Sequence, residues 1–203
     1  ERNLNLVLQI TEITSKAVLC VNMMDEAGKK NIKTDITKLS QQLGIPVAAT
    51  SARSKKGLDK LMQAIESVAL SKESNDITLV YTSHIENAIS QLMPLTEKIE
   101  TDSRTKRFIC LKLLQGDSDT VYSLCKKYGT DDNYLKALIS AADRLTENNF
   151  TDEIISCIFI NAEGIAAECV NTHNAAYAVY HFMDNNNRCE LPVRLTFGAF
   201  RKG

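Results

Sequence analysis

The sequence predicts an α/β unit followed by an all-α unit, and three observations carry that reading. Two short apolar runs, Ala17-Val18-Leu19-Cys20-Val21 and Pro46-Val47-Ala48-Ala49-Thr50, alternate with helix-period segments over residues 1–70, the pattern of strands buried on both faces of a parallel sheet. Residues 71–80 begin with a polar stretch, Ser71-Lys72-Glu73-Ser74-Asn75-Asp76, that reads as a linker. Beyond it the strand signal fades and helical periodicity dominates to about residue 183, leaving 184–203 as an atypical tail.

The elements follow in order. Leu4, Val7, Leu8 and Ile13 share a helical face from the first residues on, with no cap before them, so the start reads as a cut in or just before a helix. After the first strand, Thr34 to Leu43 forms a helix with Thr34 as N-cap, Ile36, Leu39 and Leu43 on one face, and Gly44 as its stop. Leu58, Leu61, Met62, Ile65, Val68 and Ala69 mark an amphipathic helix after the second strand. In the all-α part, helices are expected over Ile85–Leu92 with Pro94 ending it, Thr105–Leu114 before Gly116, Thr120–Lys127 before Gly129, and from Asp131 onward. The longest starts at an N-cap Thr151 and carries Ile155, Ile158, Phe159, Ala162, Ile165, Ala166, Cys169, Val170, Ala176 and Tyr177 as its stripe, until Asp184-Asn185-Asn186-Asn187 ends it. The tail segment Leu191–Phe197 reads as extended and isolated.

Bulk properties exclude several classes. With 44% hydrophobic and 24% charged residues the chain is globular rather than disordered, and a net charge of −1 gives no reason to expect nucleic acid as a partner. No apolar run reaches the ~18–20 residues of a membrane span, which predicts a soluble segment. The six cysteines form no C-x-x-C pair and read as reduced, buried thiols. His84, His173 and His181 show no ligand spacing, so no metal site is expected.

Two constellations carry chemistry. Val21-Asn22-Met23-Met24-Asp25 directly follows the first strand, and Thr50-Ser51-Ala52-Arg53 directly follows the second. One strand–helix–strand crossover separates them, so both loops leave the same sheet edge and can close on one flat ligand. Asn22-Met23-Met24-Asp25 resembles the N-K-x-D motif of P-loop GTPases, with Met in the Lys position. Ser51-Ala52-Arg53 resembles the S-A-K motif that follows it, with Arg for Lys. The N-M-x-D variant, then D-I-x-x-L-S-x-x-L-G-x-P-V over Asp35–Val47, then T-S-A-R, is similar to the ferrous iron transport protein B family. Glu1-Arg2-Asn3-Leu4 is similar to the helix after switch II in that family, and Arg104–Asp117 fits the R-x-x-x-x-K-L-L-x-G-D pattern of its helical spacer domain. The resemblance covers residues 1–182.

The resemblance implies a partial P-loop GTPase fold over 1–70, the carboxyl half of a G domain, and a guanine-dissociation-inhibitor-like helical domain over 81–183. Guanine presents N1–H and the 2-amino group side by side, so one carboxylate, Asp25, can accept both. The family's Asn, here Asn22, holds the loops together and approaches the base. Met23 lies against the ring, and the Ala52 N–H meets the guanine carbonyl. Ser51 and Arg53 support the loop, with the Arg53 stem on the second ring face.

The implied ligand is GTP or GDP, with Mg²⁺ only in the intact protein. No G-x-x-x-x-G-K-[S/T] occurs in the sequence, and Ala27-Gly28-Lys29-Lys30 lacks that spacing. Hydrolysis by this chain alone is not expected, and no catalytic residue is assigned. Asp25-Glu26-Ala27-Gly28 matches a D-x-x-G switch, but Asn22 before it and Ser51-Ala52-Arg53 after it favour the base-reading assignment. The implied partner is the membrane transport domain of the same protein, at the cytoplasmic face of the bacterial inner membrane. The helical domain would stabilise the GDP-bound state and couple it to Fe²⁺ transport. Two alternatives are another GTPase family carrying the same loops, such as a ribosome-assembly GTPase, against which residues 80–182 are not basic, and a helical interaction module with a vestigial nucleotide site.

Overall fold

The two apolar runs pair as the sequence predicts. In the computed structural model, which describes residues 2–71, 78–144 and 150–172, the chain runs α1 (Arg2–Ile13), β1 (Leu19–Val21), α2 (Met24–Lys29), β2 (Ile32–Thr34), α3 (Ile36–Leu43), β3 (Val47–Ala49), a 3₁₀ turn (Ala52–Ser54) and α4 (Leu58–Leu70). It continues through α5 (Ser83–Leu92), a 3₁₀ turn (Met93–Thr96), α6 (Ser103–Leu114), α7 (Ser118–Lys127), α8 (Asp132–Asp143), α9 (Phe150–Cys169) and β4 (Val170–Thr172). The described residues divide into two units, one of 2–11, 15–71 and 161–172, the other of 12–14, 78–144 and 150–160.

In the first unit β1 and β3 are parallel, with Leu19 opposite Val47, Cys20 opposite Ala48 and Val21 opposite Ala49. Helices α3 and α4 pack on β3. The Asp35 side chain caps α3 by accepting the Lys38 N–H at 2.9 Å, and the Gly44 N–H closes it on the Ser40 carbonyl. Leu39 and Leu43 of α3 are buried, as are Ile45 and Ala48. A second, antiparallel pair joins β2 to β4, with Ile32 opposite Thr172 and Thr34 opposite Val170.

In the second unit α6 packs against α5, α7 and α8. Each of these helices starts on a side-chain cap: Thr82 for α5, Asp102 for α6, Asp117 for α7 and Asp131 for α8. Ile85, Ile89, Leu92, Ile109, Val121, Leu135 and Ile154 form its core. A polar cluster ties the segment before α5 to α6. The Arg107 guanidinium donates to both Glu86 carboxylate oxygens and to the Leu79 carbonyl. The Glu12 Oε1 accepts the Leu79 N–H at 2.8 Å, and the Glu86 Oε1 accepts the Tyr81 N–H at 3.0 Å.

Several expectations are corrected. Thr34 does not cap α3; it belongs to β2 and Asp35 takes the role, because backbone pairing with β4 holds Thr34 extended. Thr151 is not an N-cap, since α9 already includes Phe150, and its hydroxyl donates to the Gln115 carbonyl instead. The last helix ends at Cys169 rather than near 183. Val170, Asn171 and Thr172 are weak helix formers, and β2 offers them a strand partner that outweighs the helical period. Cys20 is exposed rather than buried, while Cys110, Cys125, Cys157 and Cys169 are buried free thiols. On α4 no residue is buried, and Met62, Ile65 and Leu70 stand exposed. Most of the linker, the Ala176–Tyr177 end of the apolar stripe, His173, His181, Cys189 and the 184–203 tail lie outside the described residues.

Candidate functional site

Parallel pairing puts the carboxyl ends of β1 and β3 at one edge, and the pairing continues into the loops beyond them. The Thr50 N–H donates to the Val21 carbonyl at 2.8 Å, and the Met24 N–H donates to the Thr50 carbonyl at 3.1 Å. Asn22 bolts the two loops together: its Oδ1 accepts the Thr50 hydroxyl at 3.1 Å and the Ala52 N–H at 3.0 Å. Two donors on one oxygen fix the orientation of that amide. Below it, Cys20 Sγ lies 3.2 Å from Thr50 Oγ1.

Met23 reverses the chain with a left-handed backbone, φ 64°, and its side chain is exposed. Its carbonyl accepts the N–H groups of Glu26 and Ala27, so α2 begins without a capping side chain. Asp25 therefore stands in the first turn of α2, exposed to solvent. Its N–H donates to Ser51 Oγ at 3.1 Å. The Ser51 hydroxyl, ahead of smaller contributions from local backbone N–H groups and Lys29, holds the Asp25 carboxyl below the usual carboxylate range. At neutral pH the group is an acceptor only.

Ser51 is buried and closes its own loop. Its N–H and carbonyl pair with the carbonyl and N–H of Lys56 at 3.0 and 3.3 Å, around the 3₁₀ turn that carries Ala52 and Arg53. Gly57 then turns the chain into α4 at φ 76°, so tightly that a Cβ there would lie 2.1 Å from the Ala49 carbonyl oxygen. That close approach seats the whole loop against the end of β3.

Asn22, Met23, Asp25, Ser51, Ala52 and Arg53 are thus brought to one sheet edge. Asn22 and Ser51 act as bolts, and Met23, Asp25 and Arg53 present exposed side chains. The Ala52 N–H, expected to face a guanine carbonyl, is engaged by Asn22. Two positions are given no role by the motif reading, although the T-S-A-R run contains the first. Thr50 is buried and hydrogen-bonded through hydroxyl, N–H and carbonyl, and Gly57 is fixed by sterics. A glycine one residue before an apolar-period helix was the signal available for the second. Among the described residues no cluster of His, Cys, Asp and Glu could hold a metal ion. His84 instead stacks on Phe150 and meets the Glu153 carboxylate at 2.9 Å. No described helix is long and apolar enough to cross a membrane.

Residues 1–65 match the family model described as ferrous iron transport protein B, and residues 81–171 match that of the FeoB cytosolic helical domain. The chain is 38% identical over 126 residues to the Fe(2+) transport protein A/Fe(2+) transporter FeoB fusion protein of Porphyromonas gingivalis, covering 59% of this chain and 15% of that protein. It is 30% identical over 119 residues to the Fe(2+) transporter FeoB of Escherichia coli K12, covering 58% and 15%. The matched stretch thus spans about 15% of the length of these relatives. Among solved structures, the cytosolic domain of the T. maritima FeoB iron transporter in a GDP form superposes with TM-score 0.65 at 26% identity, covering 84% of this chain and 62% of that one. Its GMPPNP form gives 0.63 at 26%, covering 84% and 63%.

Proposed function

Because the chain belongs to the ferrous iron transport protein B family, carrying part of its G-domain fold and its cytosolic helical domain, we propose that the 22–25 and 50–53 loops read the guanine base of GTP or GDP. The observation that carries the reading is the pair of stitched loops at the carboxyl edge of β1 and β3, with the Asp25 carboxylate held ionised and outward beside them. An ionised carboxylate accepts guanine's two adjacent donors, and adenine lacks that pair.

The residues fit this ligand. Asn22, Thr50 and Ser51 pre-organise the site before a base arrives, so little ordering cost falls on binding. Met23 and the Arg53 stem supply apolar cover for the ring faces, and the Ala52 N–H is shared between Asn22 and the base carbonyl. The phosphates and Mg²⁺ require residues this chain does not carry. In the full-length protein, on this reading, nucleotide occupancy of the cytosolic portion governs Fe²⁺ passage through a membrane domain at the inner membrane. The 81–183 domain would favour the GDP state.

The test is base exchange. In the full-length protein, Asp25→Asn is expected to weaken GDP binding and strengthen xanthosine diphosphate binding, since xanthine carries a carbonyl where guanine has its 2-amino group. Isothermal titration with both nucleotides measures it. Unchanged preference would remove Asp25 from the site.

A further inference from the structure

Charge is unevenly laid out along this chain. Residues 15–60 hold nine basic against four acidic side chains, a net of +5 in a chain whose total is −1, so everything outside them sums to −6. Much of that excess is drawn to one place by the loops already described. The Ser51–Lys56 backbone pairing closes the turn that carries Arg53 and Lys55. The Met24 and Asp25 N–H groups pin the start of α2 to Thr50 and Ser51 beside the same turn. Helix α2 is six residues long, about 9 Å at a rise of 1.5 Å per residue, and it ends in Lys29 with Lys30 as its C-cap. Lys29 is near enough to Asp25 to help lower its carboxyl.

Lys29, Lys30, Arg53, Lys55 and Lys56 are all exposed. Among the described residues no carboxylate forms an ion pair with Lys30, Arg53, Lys55 or Lys56, whereas Lys38, Lys112 and Lys126 each have one. Lys55 also holds a left-handed backbone, φ 57°, where glycine or asparagine is the less strained choice. The geometry of the turn does not call for a cation there. Cations gathered without partners raise the local potential and draw anions to it.

The kind of anion follows from what the rim lacks. Residues 15–60 contain no Phe, Tyr or Trp, so nothing there can stack a base, as single-stranded nucleic acid binding requires. Long, exposed basic side chains suit a plane of anionic headgroups, where each Lys or Arg near the surface adds attraction without a fixed geometry. We propose that the rim formed by Lys29, Lys30, Arg53, Lys55 and Lys56 docks on the anionic lipid surface of the bilayer that holds the rest of the protein. This rests on the inner-membrane placement proposed above and not on guanine reading. The docking is electrostatic, so it weakens as salt rises.

The experiment uses the full-length protein in lipid nanodiscs, one set of phosphatidylcholine alone and one of an equimolar mixture of phosphatidylcholine and phosphatidylglycerol. Lysine acetylation is timed by mass spectrometry. Lys127 and Lys136, exposed in the second unit, are the internal standards. The expected result is labelling at Lys30, Lys55 and Lys56 slowed about fivefold or more in the anionic discs, restored at high salt, with the standards unchanged. Each lysine neutralised weakens the docking about fivefold. Lys30→Gln, Lys55→Gln and Lys56→Gln together should therefore abolish the amide protection that the anionic discs give to 53–57, whereas Lys30→Arg, Lys55→Arg and Lys56→Arg together should keep it. Equal labelling in the two sets of discs overturns the proposal. Slow labelling in both sets overturns it too, since protein then covers the rim. Slowing by added RNA in the phosphatidylcholine discs, with no effect of phosphatidylglycerol, assigns the rim to nucleic acid and equally overturns it. GDP titration in the phosphatidylcholine discs tests guanine reading separately, because Lys30, Lys55 and Lys56 have no part in it.

Discussion

Replacing Gly57 with alanine is the sharpest perturbation of the loop that presents Ser51, Ala52 and Arg53. Two costs add there. The backbone sits at φ 76°, and holding a residue with a Cβ in that region costs roughly 1–3 kcal/mol. The new Cβ would also lie 2.1 Å from the Ala49 carbonyl oxygen, 3.2 Å from its carbon and 3.3 Å from the Thr50 Cα, all backbone atoms, so no side chain can swing aside. The strand end or the loop must retreat by close to an ångström, an overpacking cost of about 1–3 kcal/mol. Together the loss is about 2–6 kcal/mol, and the retreat disturbs the Ser51–Lys56 pairing that orders the loop. Two other glycines provide internal standards. Gly129 has φ 70° but nothing near its missing Cβ, so Gly129→Ala carries only the backbone strain of roughly 1–3 kcal/mol. Gly28 lies inside α2 with open space around it, so Gly28→Ala should stabilise by about 0.5–1 kcal/mol. Urea unfolding followed by circular dichroism ranks the three, and hydrogen exchange at 51–56 localises the Gly57 effect. If Gly57→Ala costs no more than Gly129→Ala, the tight seating on Ala49 is wrong.

Further expectations concern the interior of each unit. Thr50→Val keeps the shape but removes the hydroxyl that Asn22 accepts; a stability loss of about 1 kcal/mol and weaker GDP binding are expected by thermal melt and titration. Arg107→Met leaves Glu86 and the Leu79 carbonyl without their guanidinium partner, and should destabilise by about 3–5 kcal/mol in urea. Burial pushes the Glu12 carboxyl up, and the Arg107 guanidinium 4.0 Å away offsets only part of that. A raised folded-state pKa means the fold binds the proton more tightly than the unfolded chain does. The Glu12 contribution is therefore complete below its unfolded value and is lost as pH rises through its folded value. Glu12→Gln, which cannot ionise, should melt higher than wild type at about pH 8, with the advantage shrinking toward about pH 4; an advantage independent of pH would refute the assignment.

What the sequence reveals and conceals has physical causes. Strands β1 (Leu19–Val21) and β3 (Val47–Ala49) are legible because short apolar runs alternating with helical periods mark a parallel sheet, although of their six residues only Ala48 is buried. The 22–25 and 50–53 loops are legible as motifs because the base reading proposed for them demands particular side chains at particular steps after those strands. Strand β2 is hidden, since Ile32-Lys33-Thr34 is too short for a period and its partner lies far along the chain. The end of α9 is hidden for the same reason: Val170 extends the helical stripe, and only backbone pairing with β2 converts it to strand. Helix α2 starts from the left-handed Met23 with no capping side chain, so the usual N-terminal signal is missing. The role of the Ala52 N–H is invisible because the competing acceptor, Asn22, belongs to the other loop.

The bolting of Thr50 to Asn22 closes on itself within a few dozen consecutive residues. On the proposed reading, base preference is therefore portable: a contiguous block from β1 through Gly57 holds all the hydrogen bonds that stitch the two loops together. Transplanting that block as a cassette into a related scaffold should carry the preference along, whereas exchanging either loop singly would pair mismatched halves.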